Sequence, residues 1–396
     1  MRKHLFANFG LLLLSLLLSA VLAEGVLRIV WTLPMHPWNQ SFIEHDPILG
    51  WRKIPHAKGK YVTDEYEVFE YFNSRGLRGP EYPYEPQDHQ YRILVLGDSH
   101  AEGYAVDFES LFSEIMKKKL NDNLAIESKV EVINSGTRGY STDQELLFFE
   151  QEGKRYQPAL TILMFCHNDV WYNSQYKMWR WYKPLFKIEK DGVRLTHVPV
   201  PKPDPISMDR LKQFLNEHFY LYRFVHERIS HSSFYSWLIK LGLVSFPNEL
   251  RVWQKNTSAQ VREAWNLTEA LLVELKEKVV SSGGRLLVFY VPSRESYDAE
   301  SWSATKKKYG LSDEDWDFER PILELEAICK RHGMDFLNPT KQFRMEAQKL
   351  RLMSKALNFF KDGHWTNEGH RLAGEILAEY VKDRYGLSKT MSLVNS

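Results

Sequence analysis

Cysteine is scarce in this sequence: 396 residues contain two, Cys166 and Cys329, far apart and each next to an apolar residue. Two cysteines make neither a disulfide framework nor a zinc site, and they leave open one disulfide between them. A strong charge of either sign is also lacking, because the formal net charge at pH 7 is +1. We therefore expect no metal site and no nucleic-acid partner.

Internal repeats and low-complexity tracts are absent from the sequence, which excludes solenoid and disordered classes. The apolar fraction is 43% and the aromatic fraction is 14%, enough for a sizeable core. The length suits one large domain with additions, or two domains.

The first 31 residues predict a membrane anchor or a signal peptide. Arg2 and Lys3 precede residues 5–23, which carry no charge and span about 28 Å as a helix, close to the hydrocarbon thickness of a bilayer. The sequence around Ala23 resembles a signal-peptidase site. The apolar stretch is longer than a signal-peptide core, which favours an uncleaved helix with a cytoplasmic N-terminus, so that everything after residue 31 is extracytoplasmic, in the periplasm.

Strand and helix patterns alternate over residues 91–386. Short apolar runs predict buried strands at 93–96, 130–133, 160–165, 285–290 and 334–337. Helices are predicted at 107–120, 142–153, 258–281, 319–332 and 367–384. The third of these has Val261, Trp265, Leu272, Leu275 and Val279 near helical spacing. The alternation predicts an α/β fold with a doubly wound parallel sheet and helices on both faces.

Two segments lie outside this alternation. Residues 32–90 are rich in Pro, Tyr, Trp and charge, and predict an irregular N-terminal extension with short strands. Residues 170–257 interrupt the core with an aromatic-rich start, a hairpin-like segment near Gly192 and helices after residue 208. This insertion is either a cap lined with aromatics that forms a wall of a substrate site or an extra packing layer.

Ser99 occupies a strand-to-helix turn at the carboxyl end of the first predicted strand. Ligands of open α/β sheets bind at this edge. A hydroxyl here is exposed and close to backbone N–H groups that can stabilise an oxyanion. The alternative is an ordinary turn in which Ser99 caps the helix.

A base for Ser99 is predicted close to the C-terminus. Asp362 and His364 are two residues apart in a loop before the last helix, close enough for the carboxylate to orient the imidazole. His370, one turn into that helix, is the rival base.

Donors for an oxyanion follow the other predicted strands. The Ser99 backbone N–H is one, the Gly139 N–H in the loop after the second strand is another, and the Asn168 side chain after the third is a third. Asn168 could instead be an ordinary turn residue. Together these loops carry Ser, Gly, Asn and the Asp/His pair in chain order.

In this order the motifs resemble those of SGNH, or GDSL-type, hydrolases, a family with a flavodoxin-like three-layer α/β/α fold. Gly97, Asp98 and Ser99 match the first block, Gly139 the second, and Asn168 with Asp169 the third. Asp362 and His364 match the last block. The resemblance covers roughly residues 91–170 and 258–384. The apolar N-terminus and the turn-rich segments at 46–51 and 73–79 resemble membrane-anchored bacterial members.

Two positions depart from the family pattern. Cys166 replaces the glycine that usually opens the third block, and Lys361 stands where an aspartate usually precedes the histidine by three. The sequence has Asp362 two before His364, followed by Trp365. This form resembles the last block of alginate-type polysaccharide O-acetyltransferases.

The resemblance implies a serine acyl-ester hydrolase that works through an acyl-enzyme on Ser99, without metal or organic cofactor. Asp362 and His364 complete the catalytic set, and Ser99, Gly139 and Asn168 form the oxyanion hole. The expected substrate is an acyl ester, such as an acylated carbohydrate or a lipid. The alternatives are an O-acetyltransferase acting on an exported or cell-envelope polysaccharide, and a catalytically silent scaffold in envelope assembly.

Overall fold

A computed structural model describes residues 2–31, 42–122, 129–190, 192–205, 208–230 and 232–387. Helix α1 spans Arg2–Val30. Among the described residues, its segment Asn8–Val30 is the one helix long and apolar enough to cross a membrane. The first part of the predicted extension, residues 32–41, lies outside the described residues.

The described part of the extension forms antiparallel hairpins. Strands β1 and β2 span Ile43–Asp46 and Gly50–Lys53, and strands β3 and β4 span Lys58–Val62 and Glu67–Tyr71. Trp51 and Tyr61 are buried against the core.

The first half of the core alternates as predicted. It contains β5 (Gln90–Gly97), α2 (Ser99–Glu102), α3 (Phe112–Asn121), β6 (Lys129–Asn134), α4 (Thr142–Gln151), β7 (Leu160–Phe165) and α5 (His167–Asn173). The prediction of one continuous helix over 107–120 is wrong. A 3-10 turn at Phe108–Ser110 comes first, and Leu111 is extended and fully buried before α3 begins.

The insertion forms short hairpins and then helices. It contains β8 (Lys177–Met178), β9 (Trp181–Tyr182), β10 (Leu185–Glu189), β11 (Gly192–Thr196), α6 (Met208–His218), α7 (Tyr220–Ser230) and α8 (Ser233–Lys240). A 3-10 segment, Asn248–Trp253, leads back to the core. The predicted hairpin near Gly192 is the β10–β11 pair.

The second half of the core completes the sheet. It contains α9 (Ala259–Ser281), β12 (Arg285–Tyr290), α10 (Arg294–Tyr297), α11 (Ala299–Tyr309), α12 (Arg320–Arg331), β13 (Asp335–Leu337), α13 (Thr340–Leu352) and α14 (Asn367–Tyr385). The five apolar residues predicted to face the core from α9 are all buried.

Within the described residues, five parallel strands form one sheet in the order β13-β12-β7-β5-β6. This is the flavodoxin-like order, with β5 and β7 meeting at the point where the winding reverses. Alternate residues of β5 face opposite layers: Ile93 packs with α3, α13 and α14, whereas Leu94 packs with α4, α9 and α12. The predicted α/β/α fold is therefore confirmed.

Both cysteines lie within the described residues, and both are free and buried. Cys166 packs on one side of the sheet and Cys329 on the other. The disulfide that the sequence left open is not formed.

Candidate active site

Ser99 lies where β5 ends and α2 begins. Asp98, not Ser99, caps this helix, since its carboxylate accepts the backbone N–H of His100 at 2.8 Å. The Ser99 hydroxyl is thereby left to another partner: its Oγ lies 2.7 Å from His364 Nε2, across a sequence separation of 265 residues. The turn at the sheet edge therefore presents the hydroxyl directly to an imidazole.

Asp362 reaches the other nitrogen of the same imidazole. Its Oδ1 lies 2.7 Å from His364 Nδ1 and also accepts the His364 backbone N–H at 3.2 Å. A spacing of two residues is thus sufficient for the carboxylate to reach the imidazole, because the loop folds Asp362 back over His364. The departure at Lys361 leaves the contact between carboxylate and imidazole intact.

In the pair of Asp362 and His364, each group shifts the pKa of the other in the direction that suits a base. Burial alone would lower the pKa of His364, but the hydrogen bond and the charge of Asp362 raise it above its ordinary value. Burial opposes ionisation of Asp362, yet its bonds to His364 and Tyr66 hold the pKa of that carboxyl well below its usual range. Asp362 is therefore ionised beside an imidazole that readily takes a proton.

His370, the rival base, is a buried core residue of α14. Its Nδ1 lies 3.3 Å from the Phe112 backbone nitrogen, from which it accepts a hydrogen bond at the start of α3. Burial, followed by the nearby charge of Arg78, lowers the pKa of His370 to about 3. The structure places His364, and not His370, on Ser99.

Two tyrosines that sequence reasoning missed surround the Asp362 carboxylate. Tyr66 donates to Oδ2 at 2.9 Å, and Tyr104 donates to the same oxygen at 3.1 Å while its hydroxyl lies 2.8 Å from His364 Nδ1. Burial raises the pKa of Tyr104 well above its ordinary value, so it stays a donor. No local signal marks Tyr66, which is separated from Asp362 by 296 residues.

Glu65, also missed from the sequence, holds the backbone of the same loop. Its carboxylate accepts N–H groups of Phe360 at 2.7 Å, Lys361 at 3.0 Å and Asp362 at 2.8 Å. Glu65 and Tyr66 belong to the turn between β3 and β4, so the N-terminal extension fixes the loop that carries Asp362 and His364.

A buried network of charges joins the extension to the core below Ser99. Glu102 of α2 accepts Lys53 Nζ at 2.6 Å and Arg138 Nε at 2.8 Å, and Glu70 accepts Arg138 Nη2 at 3.0 Å. Arg78 donates to the Glu102 carbonyl at 2.9 Å. Because all five side chains are almost fully buried, each charge depends on its partners.

The predicted oxyanion donors line the same cavity as Ser99 and His364. Gly139 has a φ of +81°, and a Cβ there would lie 2.7 Å from the Trp179 ring, so the close approach requires glycine. Asn168 lies in the first turn of α5. Burial raises the pKa of Asp98, and the His100 backbone N–H that donates to this carboxylate at 2.8 Å opposes that rise.

The cavity over Ser99 has a volume of about 590 Å³. The insertion contributes one wall, so part of it does lie beside the site, whereas Trp171 and Phe186 are buried in the core as packing residues. The other walls mix charge and aromatic surface. The insertion residues that line the cavity include Tyr172, Met178, Trp179, Glu249 and Leu250; Arg138, Arg294 and Glu295 are among the charged residues of the remaining walls.

This chain is similar to several solved structures at low sequence identity. No protein-family model matches the sequence, and a search of curated proteins returns no match. Among solved structures, TesA is 12% identical and matches 74% of this chain and 98% of its own, with a TM-score of 0.35. A lipase/acylhydrolase from Enterococcus faecalis is 11% identical over 74% of this chain and 96% of its own, with a TM-score of 0.37. Axe2, an acetylxylan esterase from Geobacillus stearothermophilus, is 10% identical over 74% and 94%, with a TM-score of 0.38.

Proposed function

We propose that this protein is a serine ester hydrolase of the SGNH type. The observation that carries the proposal is the continuous path from Ser99 Oγ to His364 Nε2 and from His364 Nδ1 to Asp362, each step 2.7 Å long. Serine is a weak nucleophile until a base takes its proton, and this path supplies the base and the group that orients it.

In the proposed reaction, His364 Nε2 takes the hydroxyl proton as Ser99 Oγ attacks the ester carbonyl carbon. The imidazolium is stabilised by Asp362 and returns the proton to the departing alkoxide, leaving the acyl group on Ser99. Water then attacks this acyl-enzyme with His364 again as base, and the acid is released. No metal or organic cofactor takes part in these steps.

The carbonyl oxygen becomes negatively charged at each attack, and donors around the cavity are suited to bind it. The Ser99 and Gly139 backbone N–H groups and the Asn168 amide fill this role. The Asn168 amide carries two hydrogens, and either can donate to the oxyanion. Each such donor is worth about 3–4 kcal/mol of barrier in comparable sites.

We further propose that α1 stays uncleaved, with Arg2 and Lys3 cytoplasmic and the catalytic part periplasmic. Edman sequencing of the purified native protein tests this directly. An intact N-terminus that fractionates with membranes supports the anchor, whereas a chain beginning at Glu24 contradicts it.

A fluorophosphonate probe tests the nucleophile, because it forms a covalent bond with an activated serine. Labelling of the wild type, loss of labelling in Ser99→Ala and retained labelling in Ser293→Ala are expected. Ser293 is a suitable control because it lines the same cavity. Equal labelling of wild type and Ser99→Ala would falsify the assignment, and an unlabelled wild type would favour the silent scaffold.

Transfer to a carbohydrate hydroxyl is the second candidate, suggested by the Asp-x-His-Trp form of the last block. Trp365 is fully buried and packs on Phe343 and His100, so it supports the loop from within the core and does not meet an acceptor. Product analysis with acetylated and long-chain esters, with and without sugar acceptors, separates the two. Free acid supports the hydrolase, and an acylated glycan supports the transferase.

A further inference from the structure

The helices of the insertion expose rows of large apolar side chains. In α6 the row is Met208, Leu211 and Phe214, and along α8 it is Phe234, Trp237 and Leu241, the residue that caps the end of α8; each residue is between 47% and 66% exposed. The spacings of three and four residues put each row on one helix face. Exposed apolar rows of this kind, rich in Phe, Trp and Leu, are typical of helices that lie in a membrane interface.

These helices lie against the carboxyl end of α1. The Glu24 carboxylate accepts the Tyr220 and Leu221 backbone N–H groups at 3.1 and 2.8 Å, and so caps the start of α7. Arg28 Nη2 donates to the carbonyl of His218, the last residue of α6, at 2.7 Å. Helix α7 in turn packs against both α6 and α8.

The position of this contact along α1 indicates how deep the junction of α6 and α7 lies relative to the membrane. Residues 5–23 carry no charge, and Glu24 is the first charged residue after them. If α1 spans a bilayer, Glu24 lies at the boundary between hydrocarbon and headgroups, because a charge is costly deeper in the membrane. The junction of α6 and α7, which touches Glu24 and Arg28, then lies at that same boundary.

The charges of this segment match an anionic surface. Residues 208–243 contain five lysines or arginines and three acidic residues. A basic excess beside an apolar face adds electrostatic attraction to the insertion of apolar side chains into a membrane that contains anionic lipids.

We propose that the apolar rows of α6 and α8 rest in the interfacial layer of the bilayer that α1 spans, each row immersed by about 5–10 Å. This inference rests on the proposed anchoring by α1. One consequence concerns the candidate active site: Glu227 of α7 contacts Lys361 Nζ at 2.9 Å, next to Asp362. Leu221 and Glu227 are about 9 Å apart along the axis of α7, so the site is held close to the membrane surface.

Depth-dependent fluorescence quenching in vesicles tests the proposal with the full chain. An environment-sensitive fluorophore is attached to Leu211→Cys or Trp237→Cys, and the native thiols of Cys166 and Cys329 are buried and so poorly labelled. The protein is reconstituted in vesicles of phosphatidylethanolamine and phosphatidylglycerol, with a doxyl nitroxide near the headgroup end of the acyl chains. The control is Leu352→Cys, since Leu352 is a leucine exposed at the end of α13.

We expect doxyl lipids to quench the probes at positions 211 and 237, with a blue-shifted emission, and to leave the probe at 352 unchanged. Unquenched probes at 211 and 237 would overturn the proposal, and a blue shift without quenching would assign the rows to contact with a second copy of this chain instead. A probe at Leu17→Cys in α1 reports on the anchor separately. Quenching at 17 without quenching at 211 and 237 rejects the docked helices and retains the anchor; no quenching at 17 rejects the anchor.

Discussion

The turn that carries Ser99 and the loop that carries Asp362 and His364 are held in place by different parts of the molecule. Ser99 follows β5, which is hydrogen-bonded to β6 on one side and β7 on the other, so the central sheet fixes its position. The loop is held by Glu65 and Tyr66 of the extension. The proposed nucleophile is thus positioned by the core, and its proposed base by a segment outside the alternating α/β pattern.

This difference makes the extension part of the proposed site. A bare linker between membrane and core would tolerate changes in its side chains. Here the extension also contributes Lys53, Glu70 and Arg78 to the buried charge network. Variants in the loop that carries Asp362 and His364, in the buried charge network and in the extension therefore test whether core and extension position the proposed site together. The expected effects decrease in that order.

The largest effect is expected from Asp362→Asn. The amide cannot stabilise the imidazolium and favours the wrong tautomer of His364, so kcat should fall by about 10⁴-fold. Steady-state hydrolysis of an activated ester measures this. Lys361→Gln is the control in the same loop: its ion pairs with Asp64 and Glu227 are partly exposed, and it should retain nearly full activity. Similar rates for Asp362→Asn and wild type would remove Asp362 from the mechanism.

The next effect is on stability and comes from Glu102→Gln. Removing this charge leaves Lys53 and Arg138 buried without a full partner, which should lower the free energy of unfolding by about 3–5 kcal/mol. Denaturant unfolding measures the loss. Glu368→Gln, which breaks a more exposed ion pair with Lys355, should cost less than about 1 kcal/mol. Equal losses for the two variants would mean that the network does not join extension and core.

Tyr66→Phe should have a smaller effect, because it removes one of several hydrogen bonds to Asp362. A loss of about 1.5–3 kcal/mol, the range for bonds to charged groups, corresponds to a fall in kcat/KM of roughly 10- to 150-fold. Because the Asp362 carboxylate would lack one hydrogen-bond donor, its charge would also raise the pKa of His364 further. Tyr71→Phe serves as control, since Tyr71 ends β4 and packs on Phe108, away from Asp362. An unchanged kcat/KM and pH profile in Tyr66→Phe would show that the core alone positions the base.

The smallest effect is a displacement of the pH profile of the wild type. His364 must be neutral to accept the serine proton, and Asp362 raises the pKa of His364 above its ordinary value of about 6.5. We therefore expect kcat/KM to fall as the pH drops, with the midpoint above pH 6.5. In Asp362→Asn the midpoint should move to lower pH, because the charge that favours the imidazolium is gone. A midpoint below 6.5 in the wild type would contradict the paired geometry.

Much of the fold and part of the candidate site are predictable from local patterns. The apolar run of β5 ahead of Ser99 and the apolar stripe of α9 can be recognised from residues that are close together in sequence, and the structure contains both elements. The same holds for the loop positions of Gly139 and Asn168, which follow recognisable strands. The break at Leu111 was missed, because the sequence of 107–120 contains no glycine or proline to mark it.

Chain order and local chemistry by themselves determined the parallel α/β alternation, the apolar N-terminal helix and the candidates Ser99, Asp362 and His364. Only the tertiary structure decided which of His364 and His370 contacts Ser99, and only it brought Glu65 and Tyr66 to the loop that carries Asp362 and His364. The physical reason is that strand and helix patterns depend on neighbours in sequence, whereas a charged side chain such as Glu102 looks like a surface residue until folding buries it among distant partners.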